Sequence, residues 1–188
     1  QLLAQAAFTR LGEWLARAQA KLDTKVYGKS RGGRLDDWRG VLETKRGVYV
    51  LETDFSEGPL YISYPASCTQ AGHSQPVTLK VTRDPRDNDL AANEAMALQT
   101  LASGKAASKF SAYVPRLLDS FLYAEDGVAR QVNVFKRSYD WFSLEQVRQA
   151  YPGGLNPRDM AWMWRRLLVG LGFAHLNGIL HGAVLPAN

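Results

Sequence analysis

The sequence predicts an α+β fold in which short antiparallel strands are followed by a mainly helical C-terminal part. Three short segments rich in β-branched and aromatic residues lie between residues 48 and 82, which is typical of strands. After residue 156, apolar residues recur every three or four positions, which is typical of an amphipathic helix. With 46% hydrophobic and 22% charged residues, the composition is that of a globular protein and excludes a wholly disordered or collagen-like chain.

Length and charge narrow the classes of protein further. The 188 residues suffice for one ordinary domain or two small lobes. The net charge of +5 is dispersed, and the densest basic stretch, residues 25–34, has few aromatic residues, so we expect no nucleic-acid partner. No apolar run approaches the roughly 18 residues of a membrane span, so we expect no membrane contact. The single Cys68 cannot form an internal disulfide, which favours a cytoplasmic location.

The N-terminal region is expected to lie outside the main fold. Residues 1–24 predict an amphipathic helix, because apolar residues form one stripe at helical spacing. Residues 25–44 are rich in glycine and charge and are predicted to be a linker. The chain begins with Gln1, and we expect it to be a piece of a longer protein.

The next region predicts five strands and one helix. A meander of three strands is expected over residues 48–53, 60–64 and 77–82, with a polar loop through Cys68 before the third strand. A helix over residues 90–101, capped by Asn88 or Asp89 and closed by Gly104, follows. Two further strands, over residues 117–123 and 129–135, are expected to be joined by a hairpin turn at residues 125–127.

Two helices with recognisable N-terminal signals end the predicted elements. Residues 143–150 start with the capping-box pattern of Ser143 and Gln146. The last helix starts at Pro157 behind the cap Asn156 and ends near Asn177. Its predicted apolar face includes Met160, Met163, Trp164, Leu167, Leu168, Leu171, Ala174 and His175.

One pair of charged residues is a candidate site. Lys80 lies inside the third predicted strand, and Glu94 follows 14 residues later in the predicted helix. This spacing allows a strand end, a connection and one helical turn, so the two side chains can meet. The same spacing also fits a strand lysine and a helix glutamate that are both exposed. The segment Val77-Thr78-Leu79-Lys80-Val81 resembles the third strand of protein kinases, in which this lysine pairs with a glutamate of the next helix, so the resemblance implies an ion pair that fixes a cation on rigid backbone.

The last eight residues carry a resemblance to a known family. His181, Pro186 and Asn188 match the spacing of the protein-kinase catalytic loop, His-Arg-Asp-Leu-Lys-Pro-Glu-Asn. The element order over residues 45–188, and the sequence around Lys80, also resemble a kinase. The chain is similar to the protein-kinase-like superfamily, in particular to bacterial pseudokinases whose loop contains His-Gly-Ala-Val-Leu-Pro.

The resemblance implies a protein-kinase-like fold and a set of site residues. Residues 45–137 would form a five-stranded antiparallel small lobe with one helix, and residues 138–188 the first helices of a truncated large lobe. ATP and magnesium would be the cofactors, with Asn188 as the metal ligand. No catalytic residue is expected, since Ala183 occupies the position of the base. Nucleotide contacts would come from Lys80, Glu94, Gly58, Val134, Phe135 and Lys136.

The turn at residues 54–59 departs from that family pattern. It holds only Gly58 of the expected glycines, beside Glu57 and Pro59. An ordinary hairpin is therefore a better interpretation of this turn than a phosphate-binding loop.

Three functions remain open on these residues. The first is a pseudokinase acting as a regulatory or scaffolding module that binds a protein partner or an adjoining domain. The second is an atypical active serine/threonine kinase that uses ATP. The third is an interaction module with no nucleotide site.

Overall fold

The computed structural model describes residues 40–53, 55–125, 127–137, 142–182 and 184. The predicted N-terminal helix and most of the predicted linker lie outside the described residues. The described part is an α+β fold with one curled antiparallel sheet and four α-helices.

All seven strands of the described chain belong to that sheet. The strands are β1 (Val41–Glu43), β2 (Val48–Leu51), β3 (Ser56–Glu57), β4 (Tyr61–Gln70), β5 (His73–Thr82), β6 (Leu117–Glu125) and β7 (Val128–Lys136). Their order in the sheet is β1-β2-β4-β5-β7-β6, with the short β3 paired to β4.

The prediction of five strands was wrong, because the sheet contains two further short strands. β1 lies in the stretch predicted as linker and pairs with β2 through Leu42 opposite Tyr49. β3 has two residues and lies within the predicted turn at 54–59. Segments this short carry no alternation that a sequence pattern could reveal.

The polar loop predicted through Cys68 is also wrong. β4 and β5 are ten residues each, and only Ala71 and Gly72 separate them. These two residues have φ of 49° and 79°, the left-handed backbone that a two-residue hairpin turn requires. Cys68 is therefore a strand residue, 6% exposed, and its polar neighbours lie on the other face of the strand.

The main core lies inside the curl of the sheet. Alternate residues of β4, β5 and β7 point into it, among them Ile62, Leu79 and Val134. β2 and β6 are not neighbours in the sheet, yet the rings of Tyr49 and Phe121 stack with centroids 5.8 Å apart. The sheet therefore bends until its two ends contact each other.

The predicted helix signals at Gly104, Ser143 and Asn156 are confirmed, while the predicted cap Asn88 is instead the first residue of its helix. α1 (Asn88–Ser103) ends at Gly104, and α2 (Ala107–Phe110) is a single turn. α3 (Leu144–Ala150) begins with the predicted capping box, and α4 (Pro157–Leu176) begins behind Asn156, whose side chain accepts from the amide of Arg158. None of the described helices combines the length and apolar character needed to cross a bilayer.

A second core joins α1 to α4. Leu101 of α1 packs with Phe173 and Ala174 of α4. The apolar face predicted for α4 is confirmed only in part. Ala174 is buried and Met163, Leu167 and Leu171 are half-buried, but Trp164 is 59% exposed, Leu168 is 50% exposed and His175 is exposed as well. α4 buries residues only near its C-terminal end, so the apolar stripe along its first turns is not what contacts the described fold.

Candidate functional site

Lys80 and Glu94 form the predicted ion pair. Lys80 lies in β5, opposite Ser63 of β4 and Asn133 of β7. Its Nζ donates to Glu94 Oε1 at 2.6 Å. The two side chains are 27% and 30% exposed, so water screens the pair only in part. A cation is thus fixed on a central strand by a carboxylate of the helix that packs over it.

A buried amide holds the other side of that carboxylate. Asn133 Nδ2 donates to Glu94 Oε2 at 2.9 Å and to the carbonyl of Ala91 at 2.8 Å. Ser120 Oγ donates to Asn133 Oδ1 at 2.8 Å. Asn133 is 0% exposed. Sequence reasoning missed this residue, although a lone amide between Val132 and Val134 in a strand is a signal that could have found it.

The ring of Tyr61 covers another side of the Lys80 ammonium. Lys80 Nζ lies 4.1 Å from the ring centroid, within the range of a cation–π contact. Burial raises the pKa of Tyr61 to about 12, and the charges of Glu94 and Asp89 add to this effect. The phenol therefore stays neutral at physiological pH, beside an ammonium that already has an anionic partner.

The start of α1 is fastened to the sheet by a second polar cluster. Thr82 Oγ1 donates to Asn88 Oδ1 at 2.6 Å, and Asn88 Nδ2 donates to the carbonyl of Ala129 at 2.9 Å. The amide of Gln131 also donates to Asn88 Oδ1, at 2.8 Å. Asn88 was predicted as a helix cap, but it is the first residue of α1 and its side chain binds the sheet.

The turn containing Gly58 is closed by its own hydrogen bonds. The amide of Gly58 donates to the carbonyl of Tyr61 at 2.8 Å. Arg83 donates to Glu57 Oε2 at 3.0 Å and to the carbonyl of Gly58 at 3.2 Å. Because this amide is already used, the geometry favours the hairpin interpretation over a phosphate-binding loop.

The three residues expected to contact an adenine lie at the end of β7. Val134 is 1% exposed in the core. Val134 and Phe135 pair with β5 on one side and with β6 on the other, and the amide of Lys136 donates to the carbonyl of Arg116 at 3.0 Å. Their backbone groups are engaged in the sheet, so the nucleotide contacts assigned to them stay a prediction.

Two cavities lie away from the Lys80 pair. One of about 670 Å³ lies between α1, α2, the start of β6 and Phe173 of α4. The other, of about 320 Å³, is polar and lies at one end of the curled sheet beside Arg46, Tyr49 and Asp119. Neither is lined by Lys80 or Glu94.

Asn188, predicted as the metal ligand, and Ala183, at the position of the base, lie outside the described residues. Within the described ranges, His, Cys, Asp and Glu side chains form no group of three or more that could hold a metal ion.

Comparisons with models of protein families and with curated proteins find no match for this chain. The kinase-like interpretation therefore rests on the residues and contacts above, and is developed as a proposal.

Proposed function

We propose that this chain is a protein-kinase-like module of the pseudokinase type, acting as a regulatory or scaffolding domain without transferring phosphate. The observation that carries the proposal is the 2.6 Å contact between Lys80 and Glu94. In protein kinases a strand lysine and the glutamate of the following helix must pair in this way to place the nucleotide phosphates. The order of elements supports the proposal too, since α1 follows β5 and packs on the sheet.

The sequence of the last loop supports the absence of phosphate transfer. Kinases use a carboxylate in this loop to accept the proton of the substrate hydroxyl. Ala183 stands at that position, and its methyl group cannot accept a proton. Gly182 and Val184 beside it have no ionisable side chain either.

The described residues fit Mg-ATP only in part. Lys80 offers the cation that a phosphate needs. Glu94 and Tyr61 occupy two sides of that cation, and the amide of Gly58 is already bonded. A nucleotide at Lys80 would have to compete with both contacts, so weak binding is the most that this arrangement supports.

A second candidate is an interaction module with no nucleotide site. The contact between Tyr61 and Lys80 favours it, because the ring occupies one side of the cation that a phosphate would need. The exposed apolar side of α4 favours it as well, since Met160, Trp164 and Leu168, four residues apart along the helix, are 51%, 59% and 50% exposed. Contiguous exposed apolar side chains are typical of surfaces that bind other proteins.

Thermal unfolding with and without Mg-ATP separates these functions. A ligand that binds only the native state raises the melting temperature. A nucleotide-binding module should melt higher in millimolar Mg-ATP, and Lys80→Ala should abolish that rise. Lys105→Ala is the matched control, because Lys105 is an exposed lysine away from the pair. A melting temperature unmoved by ATP would favour the interaction module.

Phosphate transfer needs its own assay. Incubation with γ-labelled ATP, magnesium and a generic protein substrate should give no label above background. Turnover by the wild-type chain that disappears in Lys80→Ala would overturn the pseudokinase proposal in favour of an atypical kinase.

A further inference from the structure

β7 carries a fully buried amide at the point where the sheet meets α1. Val132 and Val134 point into the main core, and Asn133 between them points to the opposite face, towards α1. Asn133 is 0% exposed. A buried amide is costly unless its hydrogen bonds are made, so the partners of this side chain are expected to matter.

All the polar atoms of Asn133 have partners. Its nitrogen donates to the carbonyl of Ala91 and to Glu94 Oε2, and its oxygen accepts from Ser120 Oγ. This set also fixes which end of the amide is nitrogen. The reverse orientation would set the amide oxygen against two acceptors, the carbonyl and the carboxylate.

The two oxygens of Glu94 are thereby divided between two donors. Oε2 accepts from Asn133 at 2.9 Å and Oε1 accepts from Lys80 at 2.6 Å. Asn133 and Lys80 are also direct cross-strand neighbours in the sheet. The carboxylate therefore has one orientation that satisfies both donors at once.

We infer that Asn133 is a positioning residue: it holds Glu94, and with it the second turn of α1, so that Glu94 keeps the Lys80 ammonium paired. The inference rests on the proposed function, because Lys80 is the proposed nucleotide site. It adds that Lys80 and Glu94 stay paired without a ligand. Asn88 fastens the first turn of α1 in the same way. Both anchors must break before the helix can swing away from the sheet.

A purely structural role for Asn133 is the competing explanation. In that case its loss would lower stability but leave the Lys80 pair intact. The reactivity of the Lys80 amine distinguishes the two roles, because an ammonium held by a carboxylate is acylated more slowly than a loosely paired one. Acetylation by a sulfosuccinimidyl ester, quantified at Lys80 by peptide mass spectrometry, measures this without any nucleotide.

Gln131→Leu is the matched control for Asn133→Leu. Gln131 lies in the same strand, two residues away and on the same face, and is 8% exposed. Its side chain donates to Ser120 Oγ at 2.8 Å, and the same Ser120 hydroxyl donates to Asn133. Both substitutions remove a buried amide, but only one removes the bond to Glu94.

We expect Asn133→Leu to raise the acetylation rate of Lys80 roughly three- to tenfold, the effect of about one ordinary hydrogen bond, because the lost bond acts on Lys80 only through Glu94. Glu94→Gln sets the upper limit of the acetylation rate. Gln131→Leu should stay within about twofold of the wild-type rate, because the hydrogen bond it removes goes to Ser120 and not to Glu94. Asn133→Ser, which keeps a hydroxyl but lacks the reach of the amide, should show the same direction with a milder loss of stability.

The inference is overturned if both Asn133 variants leave Lys80 acetylation at the wild-type rate while Glu94→Gln raises it. It is equally overturned if Gln131→Leu raises the rate as much as Asn133→Leu. Since no nucleotide enters this assay, a failure of ATP binding would refute the nucleotide part of the proposed function and leave the positioning role intact.

Discussion

The Lys80 ammonium of β5 lies over the face of the Tyr61 ring of β4, with Nζ 4.1 Å from the ring centroid. The same ammonium donates to Glu94, so a neutral ring and an anionic carboxylate share it. A phosphate that approaches this ammonium would therefore compete with both contacts.

Removing this ring should open the site. If Mg-ATP binds at Lys80, Tyr61→Ala should bind it about two- to fivefold more tightly, because a cation–π contact of about 0.5 to 1 kcal/mol no longer competes. Isothermal titration of both chains with Mg-ATP measures the change. Tyr61→Phe keeps the ring and should bind like wild type. Equal affinities for Tyr61→Ala and wild type would refute a gating role for the ring.

Alkaline pH should destabilise the fold through the same tyrosine. Its pKa rises from 10.0 to about 12 on folding, first because of burial. Below pH 10 the phenol is protonated in both states, so its contribution to stability is complete. As the pH rises from about 10 to about 12 only the unfolded chain loses this proton, and the free energy of unfolding falls.

Urea unfolding of wild type and Tyr61→Phe between pH 9 and about 12 tests this sign. The variant should lose stability less steeply with pH. The pKa of Tyr49 is also raised, by burial and by Asp119, so some alkaline loss should remain in the variant. Identical slopes for the two chains would contradict the prediction.

The contact between the two ends of the curled sheet should depend mainly on Asp119. This residue is 8% exposed and accepts from Tyr49 at 3.2 Å and from Arg46 at 2.8 Å. Asp119→Ala should cost about 3 kcal/mol, because the buried hydroxyl of Tyr49 and the backbone amide of Ser120 both lose the carboxylate as an acceptor. Tyr49→Phe should cost about 1 kcal/mol.

Urea unfolding of Asp119→Ala, Tyr49→Phe and Arg46→Ala measures these losses, and Arg46→Ala is the informative comparison. The Arg46 side chain is 70% exposed, so water screens its ion pair and the loss should be below about 1 kcal/mol. A loss from Arg46→Ala as large as that from Asp119→Ala would show that the surface ion pair, and not the buried hydrogen bonds, closes the sheet.

The β4–β5 turn offers a stabilising substitution. Ala71 has φ of 49°, a conformation that costs a residue with a Cβ roughly 1 kcal/mol. Ala71→Gly should therefore raise the free energy of unfolding by about 0.5 kcal/mol, after the extra flexibility of glycine in the unfolded chain is subtracted. Ala71→Val should lower it, and a gain from valine would exclude strain at this position. Urea midpoints of the three chains decide the order.

Elements with local chemical signals were predictable from sequence. Ser143 with Gln146, and Asn156 ahead of Pro157, define helix starts because their side chains bond the first free amides, a contact made within four residues. The pair of Lys80 with Glu94 was predictable from the resemblance to protein kinases, in which a strand lysine pairs with a glutamate of the next helix; the spacing alone was also compatible with two exposed side chains.

Features set by distant contacts were not predictable. Cys68 was assigned to a loop because its neighbours are polar, while the structure buries it against the far end of a curled sheet. Asn133 has its role only because Ala91, 42 residues earlier, lies over it. Tyr61 gave no signal at all, because its partner Lys80 is across a strand pair whose register follows from the unpredicted turn at Ala71.

The long β4–β5 hairpin has a consequence for how the chain acquires this structure. Its ten pairs, from Tyr61 opposite Thr82 to Gln70 opposite His73, join residues close in sequence, so the loop that must close first is very short. The contact between Tyr49 and Asp119 spans 70 residues and costs far more chain entropy to form. We therefore expect the hairpin to form early in the folding reaction and the closure of the curl to come late. Destabilising substitutions at Asp119 should then accelerate unfolding, while destabilising substitutions at the hairpin turn should slow folding.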